Sequence, residues 1–303
     1  MIYLRICGRI GNQLFMYATA KAVQKLTGDT EGIIIDDTVN DYMKYENSLV
    51  NYPLDDVTFV HDLKLYHTPK FLPQCAILRF LREKEKDMSL MEINDYELKH
   101  QKLFNKFGLF HLQDGYVEYP DKFKKNIVLD GFFQSEKFFE IVKDEIIELY
   151  SLKDEVDKSN YPGLEEIRSR NTVCISAKVQ HNTDNPMYDV CNDGYYEKAI
   201  QKIIEEVDNP LFFVCSDNVE YVKEHLIDTT KYDVICQDTS FPVHISLAVM
   251  AQCKHFIIGN TTFGWWAQYL CTNPEKIVMA PSRWYGTPVP CDIYQDNWTL
   301  IEV

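Results

Sequence analysis

The chain has 303 residues, of which 46% are hydrophobic and 13% are aromatic, so it can form two domains or one large α/β unit. Its formal net charge of -15 argues against a nucleic-acid partner, because binding to a phosphate backbone requires a basic surface. A small anionic ligand is compatible with this charge where a few cations and helix ends gather locally.

The nine cysteines are an odd number, occur singly in apolar stretches and form no C-x-x-C pair. Because the histidines are also scattered, we expect buried reduced thiols and no zinc site. The N-terminus lacks the features of a signal peptide, and no apolar run reaches membrane-spanning length. These observations predict a cytoplasmic protein. Peripheral membrane contact through the basic stretch 79–86 is a further hypothesis, and its interleaved glutamates favour a solvated helix face instead.

The N-terminal region predicts a strand, a glycine-containing turn and a helix. Residues 2–7 form a short β-prone run that stops at Gly8, and apolar residues recur with helical spacing over 14–26. The segment between them, GRIGNQ, has the layout of a phosphate- or sugar-binding loop at the carboxyl end of a strand. The side chains that can donate hydrogen bonds there are Arg9, Asn12 and Gln13. Because the segment lacks the third glycine of a dinucleotide-binding loop and the lysine of a P-loop, an ordinary strand-to-helix turn is the alternative.

The rest of the first half indicates one more buried strand and little recognisable chemistry. Residues 32–37 form an apolar strand that suits a parallel sheet covered on both faces. Prolines and charges interrupt the apolar clusters of residues 42–125, which indicates helices and loops. Residues 127–139 predict a strand and an aromatic-rich turn, and a helix follows. The polar stretch 153–163 contains a Pro-Gly pair and is the expected connection between two domains.

The second half alternates strands with helices, which indicates a doubly wound parallel sheet that binds ligands at the carboxyl ends of its strands. The predicted strands are 172–179, 210–218, 232–236, 256–259 and 276–281, and the predicted helices include 193–207, 219–227 and 243–252. Polar clusters lie at the ends of three of these strands, at 178–182, 216–218 and 260–262. Their convergence on one edge of the sheet predicts a binding site.

The stretch 256–270, FIIGNTTFGWWAQYL, predicts a buried strand, a polar turn and the start of a helix. Such a turn directs backbone N–H groups, hydroxyl donors and the positive end of a helix dipole at one spot, which suits a phosphate. The alternative is that residues 260–262 only cap a helix whose tryptophans fill a core.

Segments spread over nearly the whole chain carry a family resemblance. They are GRIGNQLFMYATAKAV, LDGFFQSEKFF, VCNDGYYEKAI, FFVCSDN, CKHFIIGNTTFGWWAQYL, KIVMAPSRWY and DNWTLIEV. In this order they resemble the blocks of the family-11 fucosyltransferases, inverting α-1,2-fucosyltransferases that use GDP-fucose. The resemblance implies an α/β GT-B architecture, with two Rossmann-like domains, 1–155 and 156–303, facing each other across a cleft. It places the acceptor side on the first domain and the donor nucleotide mainly on the second.

The resemblance also implies which residues bind the donor. Gly11 and Asn12 fall where the N-terminal loop of the superfamily reaches the donor diphosphate. The turn after Asn260 falls where the superfamily holds the phosphates and packs beside the nucleotide. Its residues are Thr261, Thr262 and Phe263. No metal and no cofactor are expected, because GT-B enzymes of this kind stabilise the leaving diphosphate with hydrogen-bond donors and cations.

One block departs from the family pattern. Where the family usually has H-x-R-R-G-D-Y, this chain reads VCISAKVQHN, which places Ser176 at the histidine and Lys178 and Val179 at the two arginines. The first arginine is the group expected to neutralise the diphosphate as the glycosidic bond breaks. Lys178 keeps the charge but loses the planar fork, and Val179 carries no charge. The protein therefore holds its donor differently, uses another donor, or has reduced activity.

Inverting transfer requires stabilisation of the leaving diphosphate and an acceptor hydroxyl positioned opposite it. The candidates for diphosphate stabilisation are Lys178, Asn12, Thr261 and Thr262, with Arg9 and Arg283 as further cations. The candidate general base is His181, which occupies the family's aspartate position and has a reference pKa of about 6.5. Asp184 and Asp189 share its loop, and a surface histidine without a catalytic role is the alternative. Ser216 and Asp217 could bind the ribose or base, or cap the next helix.

Three functions follow from these observations. The first is transfer of fucose from GDP-fucose to a galactose-type hydroxyl of an oligosaccharide or glycan acceptor. The second is the same chemistry with a different nucleotide sugar. The third is a catalytically silent protein that binds a nucleotide sugar or a glycan, which the missing arginines favour.

Overall fold

The computed structural model describes residues 1–61, 64–179 and 186–303, and the chain forms two compact units. The first unit comprises Met1–Ile146 and Pro288–Tyr294, and the second comprises Ile147–Thr287 and Gln295–Val303. Each unit contains a parallel β-sheet, which confirms the predicted α/β class. The stretch expected to connect the domains, 153–163, contains a helix in the second unit, anchored by the fully buried side chain of Val156.

The sheet of the first unit has the strand order β3-β2-β1-β5-β4, with all neighbours parallel. These strands are β1 (Ile2–Arg5), β2 (Ile33–Asp36), β3 (Val57–Val60), β4 (Leu109–Leu112) and β5 (Ile127–Gly131). The helices are α1 (Ile10–Thr27), α2 (Thr38–Met43), α3 (Lys64–His67), α4 (Leu72–Glu85), α5 (Leu90–Asn105) and α6 (Lys143–Ser151), which ends in the second unit. Short 3₁₀ turns occupy Ser48–Asn51, Pro69–Phe71, Glu136–Phe138 and Glu140–Val142.

Two expectations for the first unit require correction. Helix α1 begins at Ile10, four residues earlier than its apolar periodicity indicates, so Gly11 and Asn12 lie in its first turn and not in a loop. The prediction of helices and loops alone for residues 42–125 is wrong, because β3 and β4 complete the sheet. Both strands are only four residues long, which is too short for an alternation of apolar and polar residues to be recognised in the sequence.

The sheet of the second unit has the strand order β11-β10-β9-β6-β7-β8, again with all neighbours parallel. These strands are β6 (Thr172–Ala177), β7 (Leu211–Ser216), β8 (Asp233–Cys236), β9 (His255–Ile258), β10 (Val278–Pro281) and β11 (Thr299–Ile301). The helices are α7 (Lys153–Lys158), α8 (Leu164–Ser169), α9 (Asp193–Glu206), α10 (Val219–Tyr221), α11 (Val243–Met250) and α12 (Thr262–Leu270), and a π-helical turn spans Val222–Leu226. The three-residue strand β11 follows β10 and was not among the predicted strands, of which 276–281 was the last.

The strand orders fix where each sheet can bind a ligand. In the first unit the chain passes from β1 outward to β3 and returns on the other side of β1, so that the order reverses between β1 and β5. In the second unit the same reversal occurs between β6 and β9. In open parallel sheets the crevice at such a reversal, at the carboxyl ends of the strands, is the usual ligand site. Each unit therefore has one such crevice.

Within the described ranges, no helix has both the length and the apolar character required to cross a bilayer. The basic stretch 79–86 lies mostly on the exposed face of α4. Two of its arginines lie over the ring of Tyr66, at 5.2 Å for Arg79 and 5.9 Å for Arg82. This arrangement is that of a solvated helix face, and membrane contact stays a prediction.

Candidate functional site

Two adjacent tyrosines of α9 hold the carboxyl ends of β6 and β9 together. The hydroxyl of Tyr195 donates to the carbonyl of Ile258 at 2.5 Å, at the end of β9. The hydroxyl of Tyr196 accepts from the backbone N–H of Lys178 at 3.1 Å, just after β6. Both rings are almost fully buried, so these bonds are protected from competition with water. The two strand ends that form the second-unit crevice are therefore held in place by the side chains of Tyr195 and Tyr196.

The helix that follows β9 packs directly on the end of β6, and a glycine makes this possible. A Cβ atom at Gly264, in the first turn of α12, would lie 2.8 Å from Ser176 Oγ and 3.1 Å from Ser176 Cβ. Such distances are shorter than normal contact, so only glycine fits without a shift. The N-terminal end of α12 is thereby brought against the strand end that precedes Lys178.

Helix α12 begins with a side-chain cap and is anchored by aromatic packing. The Thr261 hydroxyl accepts from the Gly264 N–H at 3.1 Å, which is an N-cap bond. Trp265 and Trp266 are fully buried, and Trp265 stacks on Tyr269 with ring centroids 4.5 Å apart. Capping and core filling, which the sequence offered as the alternative to phosphate binding, are both present. They fix the helix end, where Thr262 and Phe263 are half-buried.

Asn260 holds the neighbouring loops in place. Its amide group donates to the carbonyls of Tyr188 and Trp284, both at 3.0 Å. An amide has two N–H donors, and both are used here. The role that the structure gives Asn260 is to connect the loops around the crevice, and its predicted contact with the donor stays a prediction.

The side chains after β7 support the segment after β6. Asp217 Oδ1 accepts from the Val179 N–H at 2.9 Å, and the Ser216 hydroxyl accepts from the Asn218 N–H at 3.0 Å. The Ser216 carbonyl also accepts from Gln237 Nε2 at 2.7 Å. These contacts position backbone around the crevice, and binding of the ribose or base by Ser216 and Asp217 stays a prediction.

Lys178 and Val179, the two residues at the arginine positions of the altered family block, differ in their exposure to solvent. The side chain of Lys178 is exposed, whereas that of Val179 is buried in the apolar core of the second unit. The position that the resemblance gives to a second arginine is thus a core position here. His181 and Asp184, the predicted base and its neighbour, lie outside the described residues. Asp189 is described and exposed.

The crevice of the first unit is built around Gly8 and the start of α1. Gly8 has a left-handed φ of 81°, and a Cβ there would lie 2.6 Å from Asn12 Nδ2. Asn12 Oδ1 accepts from Nε2 of Gln134, which follows β5, at 3.2 Å. This bond spans the reversal between β1 and β5. The predicted residues Asn12 and Gly11 therefore lie at the expected edge of their sheet, with Gly11 buried, and their donor contacts stay predictions.

Gln13, in the first turn of α1, and Arg9, immediately before that helix, have different surroundings. Gln13 is fully buried and donates to the carbonyls of Gly8 and Glu46, each at 2.8 Å, while its carbonyl accepts from the Ser48 N–H at 2.8 Å. It joins two loops and is not directed outward as a donor. Arg9 is exposed and lies 5.8 Å from the centre of the Tyr45 ring.

Sequence reasoning missed residues that position the two crevices. They are Tyr195 and Tyr196 in the second unit, and Gln134 and, as a cross-link and not a donor, Gln13 in the first. Two consecutive tyrosines in a helix that starts at a strand end are a usable sign, because buried tyrosines need partners for their hydroxyls. Gln134 offers no comparable sign, since its partner is distant in sequence.

Comparison with known proteins identifies relatives over the full length. The model of the family described as Glycosyl transferase family 11 matches residues 1–302. The chain is 22% identical to the O-antigen biosynthesis glycosyltransferase WbnK of Escherichia coli, over 98% of this chain and 99% of that protein. It is 23% identical to an alpha-1,2-colitosyltransferase of Escherichia coli, over 100% of this chain and 99% of that protein.

Solved structures share the fold. The structure of NodZ alpha-1,6-fucosyltransferase co-crystallized with GDP has a TM-score of 0.55 at 15% identity, covering 92% of this chain and 94% of that chain. The structure of the fucosyltransferase NodZ from Bradyrhizobium has a TM-score of 0.54 at 16% identity, covering 93% and 96%. These likenesses confirm the GT-B fold. Because the family match spans almost every residue of both sheets, the chain belongs to glycosyl transferase family 11 and is a glycosyltransferase.

Proposed function

We propose that the protein transfers fucose from GDP-fucose to a galactose-type hydroxyl of a glycan, with inversion at the anomeric carbon. The observation that carries the proposal is the capped end of α12, which packs on β6 immediately before the exposed Lys178. A helix N-terminus next to a cation suits a diphosphate. Family membership supports the reaction type, and NodZ, whose fold is similar, was co-crystallized with GDP.

The hydroxyl of Thr261 is suited to a phosphate oxygen. It already accepts from the Gly264 N–H, so its own hydrogen is available for an outside acceptor. As the bond between the sugar and GDP breaks, negative charge grows on the leaving phosphate. A fixed hydroxyl, the α12 N–H groups and the Lys178 ammonium would stabilise that charge without rearrangement. The transfer step then needs no metal ion.

The acceptor hydroxyl requires alignment and, in this proposal, a base. His181 is the proposed base, and Asp189 is the described acidic residue of the same segment. The half-buried ring of Phe263 would pack beside the nucleotide. The proposed partners of the protein are therefore a GDP-sugar donor and a glycan acceptor.

Two alternatives have specific support. One relative is an alpha-1,2-colitosyltransferase, which favours a donor that carries colitose. The absence of arginine at 178 and 179 favours a protein that binds the donor without turnover. The α12 turn keeps the hydroxyl and N–H donors that a leaving diphosphate requires, which favours turnover over silent binding. We retain fucose as the first proposed sugar because NodZ, whose fold is similar, is a fucosyltransferase.

Calorimetry with GDP and GDP-fucose, followed by transfer assays with galactosides, tests the proposal. Saturable GDP binding with transfer from GDP-fucose is the expected result. Transfer only from a colitosyl donor would support the second function, and binding without turnover would support the third. If GDP does not bind at millimolar concentration, the donor site is wrongly assigned.

The variant Lys178→Ala provides the residue-level test. We expect kcat/KM for GDP-fucose to fall by about 10²–10³, since one charge-stabilising donor at a developing anion is lost. The matched control is Lys202→Ala, an exposed lysine in the second half of α9. Because α9 starts after β6 and runs back along the sheet, Lys202 lies toward the opposite edge. Unchanged kinetics in Lys178→Ala would remove Lys178 from the site.

A further inference from the structure

A row of charged side chains crosses the sheet of the first unit. The strand register sets Asp130 of β5 beside Arg5 of β1 on one side and beside His111 of β4 on the other. Asp130 Oδ1 lies 2.7 Å from Arg5 Nη1, and Asp130 Oδ2 lies 2.9 Å from His111 Nδ1. One carboxylate therefore bridges the arginine and the histidine.

The other nitrogen of His111 faces two glutamates from the covering helices. His111 Nε2 lies 3.1 Å from Oε1 of Glu97, on α5, and 3.5 Å from Oε1 of Glu85, at the end of α4. Glu97 is fully buried, and its second oxygen already accepts from the Gln113 N–H at 2.7 Å. The three facing atoms are all buried and, in the described part of the chain, none has a partner in hydrogen-bonding geometry. Three ligand atoms without a hydrogen bond thus face one another, with His111 Nε2 at ion-pair distance from both glutamates.

The distances from His111 Nε2 to the two glutamates suit a tetrahedral metal ion. Zn–N and Zn–O bonds of about 2.1 Å at the tetrahedral angle place neighbouring ligand atoms roughly 3.4 Å apart. The separations of 3.1 and 3.5 Å from His111 Nε2 bracket that value, and the two glutamate oxygens lie within 4.8 Å of each other. The Asp130 carboxylate would orient the His111 ring, as an outer carboxylate commonly does for a histidine that ligates zinc.

A divalent cation is one way to compensate the charge of the cluster. Arg5 and Asp130 compensate each other, so two glutamate charges are left over when His111 is neutral. The facing carboxylates outweigh burial and raise the pKa of His111, and burial raises the pKa of Glu97, so a proton is the occupant against which the metal must be tested. A buried pair of like charges is strongly unfavourable without compensation. A divalent ion brings the total to zero.

We propose that Glu85, Glu97 and His111 bind one divalent transition-metal ion, Zn²⁺ in preference to Mg²⁺ because one ligand is an imidazole. The site would join α4, α5 and β4 and stabilise the first unit. It takes no part in sugar transfer, and it is independent of the proposed function. The competing occupant of the same space is a proton shared between the histidine and the glutamates.

Metal titration of the untagged full-length protein tests the site. After treatment with a chelator, the wild-type protein should bind one equivalent of Zn²⁺ in a competition assay with a chromophoric chelator, and Zn²⁺ should raise its Tm. Co²⁺ in the site should give the intense visible bands of a four-coordinate ion. Glu97→Gln should weaken Zn²⁺ binding about 100-fold or more and abolish the rise in Tm.

The control variant is Glu83→Gln, which removes an exposed carboxylate from the same helix as Glu85. It should bind Zn²⁺ like the wild type. If Glu97→Gln does not fold, Glu85→Gln replaces it, since that side chain is 15% exposed and tolerates change better. A proton is the occupant, and the proposal is overturned, if the wild type binds Zn²⁺ no better than the glutamine variants. The same conclusion follows if the wild type neither gains Tm with Zn²⁺ nor gives the Co²⁺ bands.

Discussion

Replacement of Gly264 by alanine tests the contact that positions α12 on β6. The added Cβ would lie 2.8 Å from Ser176 Oγ, 3.1 Å from Ser176 Cβ and 3.3 Å from Ile258 Cβ. The serine hydroxyl can rotate away, but the two Cβ atoms belong to strand residues that are held by the sheet. Overpacking of this kind costs about 1–3 kcal/mol. The higher helix propensity of alanine offsets about 0.5–1 kcal/mol of this cost, so the net destabilisation is roughly 0–2.5 kcal/mol.

The assay is urea unfolding of the wild type, Gly264→Ala, Ser176→Ala and the double variant. Removal of Ser176 Oγ relieves the shortest of the three contacts. The cost of the alanine should therefore be smaller in the Ser176→Ala background, with a coupling of about 0.5 kcal/mol or more. The same shift of α12 should weaken GDP binding in the single variant. An equal cost of the alanine in both backgrounds would refute the close packing.

Two further predictions concern the N-cap and the buried thiols. Thr261→Val keeps the side-chain shape but removes the cap acceptor and the hydroxyl donor, so we expect a loss of about 1 kcal/mol in unfolding free energy and roughly 10-fold or more in GDP affinity. Thr261→Ser is the control, and a valine variant with wild-type affinity would exclude the hydroxyl from the site. Burial raises the pKa of both Cys191 and Cys291 to about 12. Since the thiolate is the reactive form, their alkylation by iodoacetamide at pH 8 should be roughly a thousand-fold slower than in the unfolded chain and should accelerate as the pH rises. Mass-spectrometric mapping at both sites measures this, and rapid labelling of the native protein would contradict it.

The sequence was informative where local pattern and tertiary role agree. The strands of the second half are apolar runs bounded by polar turns, and all of the predicted ones are present. The start of α12 was also predictable, since Thr261 precedes an apolar helical pattern and does cap the helix. These features depend on neighbours within a few residues.

Features that depend on distant partners were not predictable. Arg5 and Asp130 form an ion pair that compensates their charges within the sheet of the first unit, and they are separated by 125 positions in the sequence. His111 interrupts the apolar run of β4, and only the register with β5 explains why a histidine is buried there. Likewise, nothing near Tyr196 in sequence indicates that its hydroxyl meets the backbone of Lys178. A polar residue in a sequence predicts exposure unless its partner is known, which is why residues 42–125 gave so little.

Val179 is buried, which bears on how the altered family block is interpreted. Val179 packs in a cluster of hydrophobic side chains, and its backbone N–H donates to the carboxylate of Asp217 at 2.9 Å. The side chain of the valine is thus matched to its apolar surroundings. If the protein turns over a GDP-sugar, Lys178 is the cation that the described residues place at the carboxyl end of β6, assisted by the dipole of α12. A single flexible ammonium is a weaker substitute for two guanidinium groups, and the fixed donors of the α12 turn would carry a larger share of the stabilisation. The ratio of the effects of Lys178→Ala and Thr261→Val on kcat therefore measures how the charge of the leaving diphosphate is divided between the ammonium and the helix end.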